Sequence, residues 1–87
     1  MVSQKVVIKN ECGLHLRPAG VLCNLAVLFK SKVTFEHEGG SDADAKSILS
    51  VLASCVKAGE TILLRCEGPD EEEALKTIVD AIEGGLQ

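Results

Sequence analysis

A histidine stands at the predicted start of a helix, within residues 13–18 (GLHLRP). Gly13 lets the backbone leave the preceding apolar run, and a proline such as Pro18 is tolerated in the first turn of a helix. The spacing therefore predicts a helix that begins between His15 and Arg17. The first-turn N–H groups of a helix have no partners inside it, and together with the helix dipole they favour a bound anion.

His15 in this setting has the chemistry needed to carry a phosphoryl group. The positive helix end and the permanently charged guanidinium of Arg17 both favour the neutral ring, whose nitrogen can attack phosphorus. The phosphate would then be held by N–H groups that need no rearrangement. A histidine that only caps a helix or lies on the surface fits the same local pattern, so the motif alone leaves both interpretations open.

Composition predicts one soluble globular domain spanning residues 1–87, with 46% hydrophobic and 25% charged residues. The net charge of −4 and only two aromatic residues argue against a nucleic-acid partner. No apolar run approaches the roughly 18 residues of a membrane span, so no membrane insertion is expected. We expect the protein to lie in the cytoplasm, where its four cysteines would stay reduced.

The cysteines and histidines do not have the spacing of a metal site. No Cys-x-x-Cys pair occurs, and no carboxylate or thiolate spacing completes a site with His15 and His37. His37 is more simply explained as a strand residue at the margin of a sheet. We therefore expect neither a metal ion nor another cofactor.

Hydrophobic periodicity and turn residues predict seven elements. The predicted strands are residues 2–9, 32–37, 42–45 and 60–66, and a hairpin turn is expected at 38–41. The predicted helices are residues 19–29, 47–56 and a last one that starts at Gly68-Pro69-Asp70 and ends at Gly84-Gly85. The order β-α-β-β-α-β-α predicts an α+β fold, an open-faced β-sandwich in which three helices cover one face of a four-stranded antiparallel sheet.

Three features of these helices bear on function. The acidic run 70–73 is interpreted as a solvated helix start, and Ser47 is placed to cap the helix that follows it. The first helix carries more apolar surface than one buried face requires. Its predicted buried stripe is Ala19, Leu22, Cys23, Ala26 and Phe29, which leaves Gly20, Val21, Val27 and Leu28 to supply either a docking surface or further packing.

Residues 13–19, followed further along the chain by Lys46-Ser47-Ile48-Leu49, resemble the HPr family. These are the histidine-containing phosphocarriers of the bacterial phosphoenolpyruvate-dependent sugar phosphotransferase system, and the resemblance covers nearly the whole chain. It implies that His15 accepts a phosphoryl group on Nδ1 from phosphorylated enzyme I and passes it to IIA domains of sugar permeases. Arg17 and the backbone N–H groups of residues 16 and 17 would stabilise the phosphate. Such a protein is itself a substrate and not a stand-alone enzyme.

The resemblance also implies partners and a regulatory site. Ser47 matches the serine that HPr kinase/phosphorylase modifies in some relatives, where the phosphoserine favours a catabolite-repression regulator. A serine that only caps a helix fits the sequence equally well. The protein is expected to be a monomer that docks its partners through Gly20, Val21, Val27, Ile48, Leu49 and Leu52.

Other functions are compatible with the same motif. A nitrogen-related paralogue, or a phosphocarrier for a dihydroxyacetone kinase, would carry the same motif. A purely regulatory module would resemble relatives that lack the histidine, and the presence of His15 argues against it.

The chain departs from the family pattern at several positions. Gly20, Leu28 and Cys12 stand where the family usually has other residue types, and Ser54-Cys55 stands where Leu-Gly is usual. We hypothesise that Cys12 and Cys55 sense oxidation near His15, although two incidental small residues explain them as well.

Overall fold

The computed structural model describes residues 1–37, 40 and 42–86, and it has the open-faced α+β fold. Positions 38, 39 and 41 of the predicted hairpin turn lie outside the described residues. The elements, in chain order, are β1 (Val2–Val7), α1 (Leu16–Ala26), β2 (Lys32–His37), β3 (Asp42–Asp44), α2 (Ile48–Ala53), β4 (Thr61–Glu67) and α3 (Glu71–Glu83).

The strands form an antiparallel sheet in the order β1-β4-β2-β3. Phe35 pairs with Leu64 across β2 and β4, and both side chains are buried in the core beneath the helices. The alternate residues lie on the opposite, polar face, where Arg65 forms ion pairs with Glu36 and, at 3.0 Å, with Asp42. Since side chains alternate along a strand, this register leaves one face of the sheet to water.

The predicted helix ends were the least accurate part. The helix predicted to reach Phe29 ends at Ala26, because Leu28 and Phe29 bond three residues back, with Phe29 N–H donating to the Ala26 carbonyl at 3.2 Å. The second helix is shorter than predicted at both ends and spans Ile48–Ala53. Of the predicted buried stripe of α1, Ala19, Leu22 and Ala26 are buried, whereas Cys23 and Phe29 are half-buried. No helix among the described residues is long and apolar enough to cross a membrane.

The start of α3 differs from the predicted solvated helix end. Pro69 precedes the helix, and the Asp70 carboxylate accepts hydrogen bonds from the N–H groups of Lys30 and Ser31, each at 2.9 Å, and from the Ser31 hydroxyl at 2.5 Å. Ser31 is fully buried, and a Cβ at Gly68 would lie 2.6 Å from its Cα. We call these contacts the Asp70 clasp. They tie the turn after α1 to the start of α3.

The clasp makes stability depend on pH in a defined direction. Hydrogen bonds from the Ser31 side chain and the Lys30 backbone lower the pKa of Asp70 from 3.8 to about 2. The clasp therefore contributes its full stabilisation at pH values above the ordinary pKa of 3.8. This contribution is lost as the pH falls from there through about 2. Asp70→Asn should be less stable than the wild type to urea at neutral pH, and the difference should shrink near pH 2. Asp80→Asn, on the exposed side of α3, is the control. An Asp70→Asn deficit that stays constant with pH would contradict this.

Candidate functional site

His15 is the residue that immediately precedes α1, and its side chain is exposed. Within the described part of the chain the ring forms no capping hydrogen bond, so neither of its nitrogens is engaged in capping α1. Its neighbour Leu14 is buried, and the Leu14 N–H donates to the Val56 carbonyl at 2.9 Å. The exposed His15 side chain thus follows a backbone residue that is held in place by burial and a hydrogen bond.

A tight turn directs the chain from β1 into α1. The Gly13 N–H donates to the Asn10 carbonyl at 3.1 Å, and the Asn10 side-chain amide donates back to the Gly13 carbonyl. Gly13 has a φ of +70°, and a Cβ there would overlap the Val56 carbonyl oxygen and lie 2.8 Å from the Lys57 Cα. Glycine is required here for both conformation and space. The bracing role of Asn10 was missed in the sequence, where this residue only marked the end of a strand.

The first turn of α1 supplies donors beside the ring. In the described part of the chain, the amides of Leu16 and Arg17 have no hydrogen-bond acceptor, and the helix ladder begins with Ala19 N–H donating to the His15 carbonyl at 2.8 Å. Pro18 has no N–H, so it adds no further unpaired donor. The Arg17 side chain is exposed and forms no ion pair with a described residue. Donors that an anion could use are therefore free in the residues that directly follow His15, among those the structure describes.

An open depression lies in front of this turn. Its charged lining comprises Arg17, Lys9 and Glu11, and residues 85 and 86 also line it. Lys9 and Glu11 were missed because no sequence pattern marks them as more than residues near the end of the first predicted strand. The contribution of Leu86 was missed as well: its N–H donates to the Ala81 carbonyl at 2.9 Å, which folds the chain end back beside the site. In the sequence, Gly84-Gly85 indicated the end of the last helix but not the position of Leu86 beside the depression.

The predicted docking residues lie along the contact between α1 and α2. A Cβ at Gly20 would be 4.0 Å from Ile48 Cδ1, and the Cys23 thiol donates to the Lys46 carbonyl at 3.3 Å. The surface of this contact is apolar and begins beside His15. Its exposed members are Leu16, Val27, Ile48 and Leu49, and its half-buried members are Gly20, Val21 and Leu52. We call this set the α1–α2 patch.

Ser47 caps α2, as predicted. Its hydroxyl oxygen accepts a hydrogen bond from the Ser50 N–H at 3.2 Å, and the residue is half-buried. It precedes Ile48 and Leu49, so any group added to Ser47 would lie beside the α1–α2 patch.

The thiols and the second histidine are not assembled with His15 into a metal site. No cluster of three potential ligands occurs among residues 1–37, 40 and 42–86. Cys12 and Cys55 are both exposed, and the oxidation hypothesis stays a prediction. Burial raises the pKa of the Cys66 thiol in the core. Cys55 has a φ of +55°, so the turn that usually has glycine is made by a residue in the left-handed region.

Comparison with known proteins identifies this arrangement. A family model described as the PTS HPr component phosphorylation site matches residues 2–84. The chain belongs to the PTS-HPr family. It is 35% identical to the phosphocarrier protein HPr of Mycoplasma pneumoniae, over 91% of this chain and 90% of that one. It is 34% identical to the phosphocarrier protein NPr of Escherichia coli, over 98% and 94% of the two chains.

Solved HPr structures have the same fold. The crystal structure of HPr-C-His from Thermoanaerobacter tengcongensis gives a TM-score of 0.94 at 38% identity, covering 99% of this chain and 96% of that one. The chain is also 39% identical to the multiphosphoryl transfer protein of Salmonella typhimurium but spans only 23% of that protein's length. HPr-like domains thus occur both as short chains and within longer ones.

The close approach of Gly13 to Val56 gives a stability prediction with a built-in control. Gly13→Ala should destabilise the protein by about 2–5 kcal/mol, because left-handed strain and overlap with backbone atoms add together. Gly59 also has a positive φ, +84°, but a Cβ there would meet no atom within 4 Å. Gly59→Ala should therefore cost only about 1 kcal/mol. If urea unfolding gave equal losses of unfolding free energy for the two variants, the approach of Gly13 to Val56 would not be tight.

Proposed function

We propose that this protein is a phosphocarrier: His15 accepts a phosphoryl group from phosphorylated enzyme I and passes it to IIA domains of sugar permeases. The observation that carries the proposal is the exposed imidazole at the start of α1, beside two unpaired amides and the Arg17 guanidinium. Membership of the HPr family supports it.

The proposed transfer needs no cofactor. The Nδ1 lone pair of neutral His15 attacks phosphorus, the new N–P bond forms, and the bond from phosphorus to the donor's leaving atom breaks with its electron pair. The negative charge on the phosphoryl oxygens is stabilised by the amides of Leu16 and Arg17 and by the guanidinium. Because the acceptor site is open, the reverse attack by a IIA residue can remove the group by the same route.

Phosphorylation in vitro tests this proposal. With phosphoenolpyruvate and enzyme I, the wild type should gain one phosphoryl group that is labile to acid and stable to base, and His15→Ala should gain none. Arg17→Ala should still be phosphorylated but at least about tenfold more slowly, because one charged donor is lost from the transition state. Lys76→Ala, which removes a cation from the exposed side of α3, is the control. Equal rates for Arg17→Ala and the wild type would remove the role assigned to Arg17.

The proposal also assigns the protein to the sugar branch of the phosphotransferase system. The relatives include proteins named HPr, NPr and HPr-like protein Crh. The nitrogen-related and dihydroxyacetone-kinase-linked alternatives share the His15 chemistry and differ in the donor protein. Rates with phosphorylated enzyme I of the sugar system and of the nitrogen system therefore separate the sugar assignment from the nitrogen-related alternative. A higher rate with the second donor would replace the sugar assignment.

Partners are proposed to dock on the α1–α2 patch. This patch is apolar, begins next to His15 in the chain, and lies on two helices whose buried residues belong to the hydrophobic core. We place enzyme I and the IIA domains there in turn, since a small shared interface suits brief contacts. Phosphorylation of Ser47 by an HPr kinase/phosphorylase would add a dianion at the edge of the patch, which would hinder enzyme I and favour a catabolite-repression regulator. The carrier is proposed to act as a monomer, whereas a solved HPr of Thermoanaerobacter tengcongensis is a dimer.

Two exposed leucines make a matched pair for testing the patch. Leu49 is 76% exposed within the patch, and Leu28 is 74% exposed outside it. Leu49→Ser should raise the KM for phosphorylated enzyme I by a factor of about 5–10, the loss of about one buried apolar contact. Ser47→Asp should raise the same KM, since it adds charge at the edge of the patch. Leu28→Ser should change little, and an equal effect of both leucine variants would mean that docking occurs elsewhere.

A further inference from the structure

His37 is a mostly buried titratable residue that the proposed transfer does not use. It is the last residue of β2, and its side chain is 19% exposed. Its ring Nδ1 lies 3.2 Å from the Ser54 carbonyl oxygen, and its Nε2 lies 3.1 Å from Glu60 Oε1. The ring therefore bridges the end of α2 and the turn before β4.

Both ring nitrogens face oxygens that carry no proton. A neutral imidazole has a single N–H, so it would leave one nitrogen lone pair against an oxygen lone pair. The doubly protonated ring donates its Nδ1–H to the Ser54 carbonyl, and its positive charge lies beside the Glu60 carboxylate in an ion pair that does not have hydrogen-bond geometry at Nε2. The geometry thus suits the imidazolium form of His37.

Glu60 is held in its charged form. The Lys57 N–H donates to Glu60 Oε1 at 2.6 Å, and this bond, together with His37, lowers the pKa of Glu60. Among the described residues, Glu60 is the titratable group in contact with the ring, and the charge of Lys57 lies beside that carboxylate. A carboxylate that stays ionised is the partner that a protonated His37 requires.

The residues that His37 holds belong to one stretch, the 54–60 segment, which also supports the His15 turn. His37 contacts its two ends, at Ser54 and Glu60. Near its middle, the Val56 carbonyl accepts the hydrogen bond from Leu14 N–H at 2.9 Å. The segment thus lies between His37 on one side and the residue before His15 on the other.

We propose that His37 is a positioning residue for His15: as an imidazolium it fastens both ends of the 54–60 segment, and the segment in turn fixes Leu14 and the start of α1. This inference rests on the proposed phosphotransfer only for its consequence for rate. When His37 loses its proton, one of the two contacts is lost, and the Val56 carbonyl becomes less firmly placed. The left-handed turn at Cys55 lies between the two contacts, so it depends on the same fastening.

Nuclear magnetic resonance can test the coupling without phosphotransfer. The chain has two histidines, so in a His15→Ala background His37 is the only one. The Leu14 amide resonance should then move with pH in step with the His37 ring, with the same midpoint. In His15→Ala/His37→Gln that movement should disappear, and a Glu60→Gln change should reduce it, whereas Glu73→Gln on the exposed side of α3 should leave it unchanged. A His37 ring that titrates while the Leu14 amide stays still would overturn the proposal.

Phosphotransfer gives the second readout. The ratio of the wild-type rate to the His37→Gln rate should change by a factor of about 2–10 across the pH range in which the His37 ring titrates. A purely structural role would lower the variant's rate by the same factor at every pH, and that result would overturn the positioning role. If the wild type accepts no phosphoryl group, the proposed function fails. The pH dependence of the Leu14 amide resonance still tests whether His37 is coupled to Leu14.

Discussion

The hydrogen bond from Leu14 N–H to the Val56 carbonyl is the contact on which the arrangement of the candidate site depends. It joins the turn before α1 to the stretch between α2 and β4, which is distant in sequence. The approach is close enough that only glycine fits at position 13. Because Leu14 is buried next to this bond, the following residue must leave the surface of the core, and that residue is His15. The exposure of the His15 ring is a consequence of how tightly its neighbour Leu14 is held.

The sequence predicted well those features that depend on neighbouring residues. Gly13 and Pro18 delimit the start of α1 within a few positions, and the capping role of Ser47 needs only the N–H of Ser50 three residues away. The strand at 32–37 follows from alternation alone, and the order of the predicted elements indicated the sheet with three helices on one face. Local chemistry was thus sufficient to locate the candidate site and the fold class.

Features that depend on distant residues could not be predicted in the same way. Asp70 looked like one more carboxylate at a helix start, and its role follows from Ser31, 39 residues away. His37 looked like a residue at a sheet margin, because neither Ser54 nor Glu60 is marked in the sequence as its partner. The second helix was predicted too long because its apolar pattern continues past Ala53, whereas the left-handed Cys55 and the bond to Leu14 end it. Tertiary contacts overrode the local pattern at each of these places.

Fixed ends and an open side explain how α1 can combine rigidity with exposure. Its start is held through Leu14, and the turn after it is held by the Asp70 carboxylate, which accepts three hydrogen bonds there. One side of the helix packs on the core, so the backbone needs no further contacts to stay in place. The unpaired amides of its first turn and the apolar side chains next to α2 can therefore remain exposed without loosening the helix. An anion or a partner that arrives there meets donors already oriented, and little ordering cost remains to oppose binding.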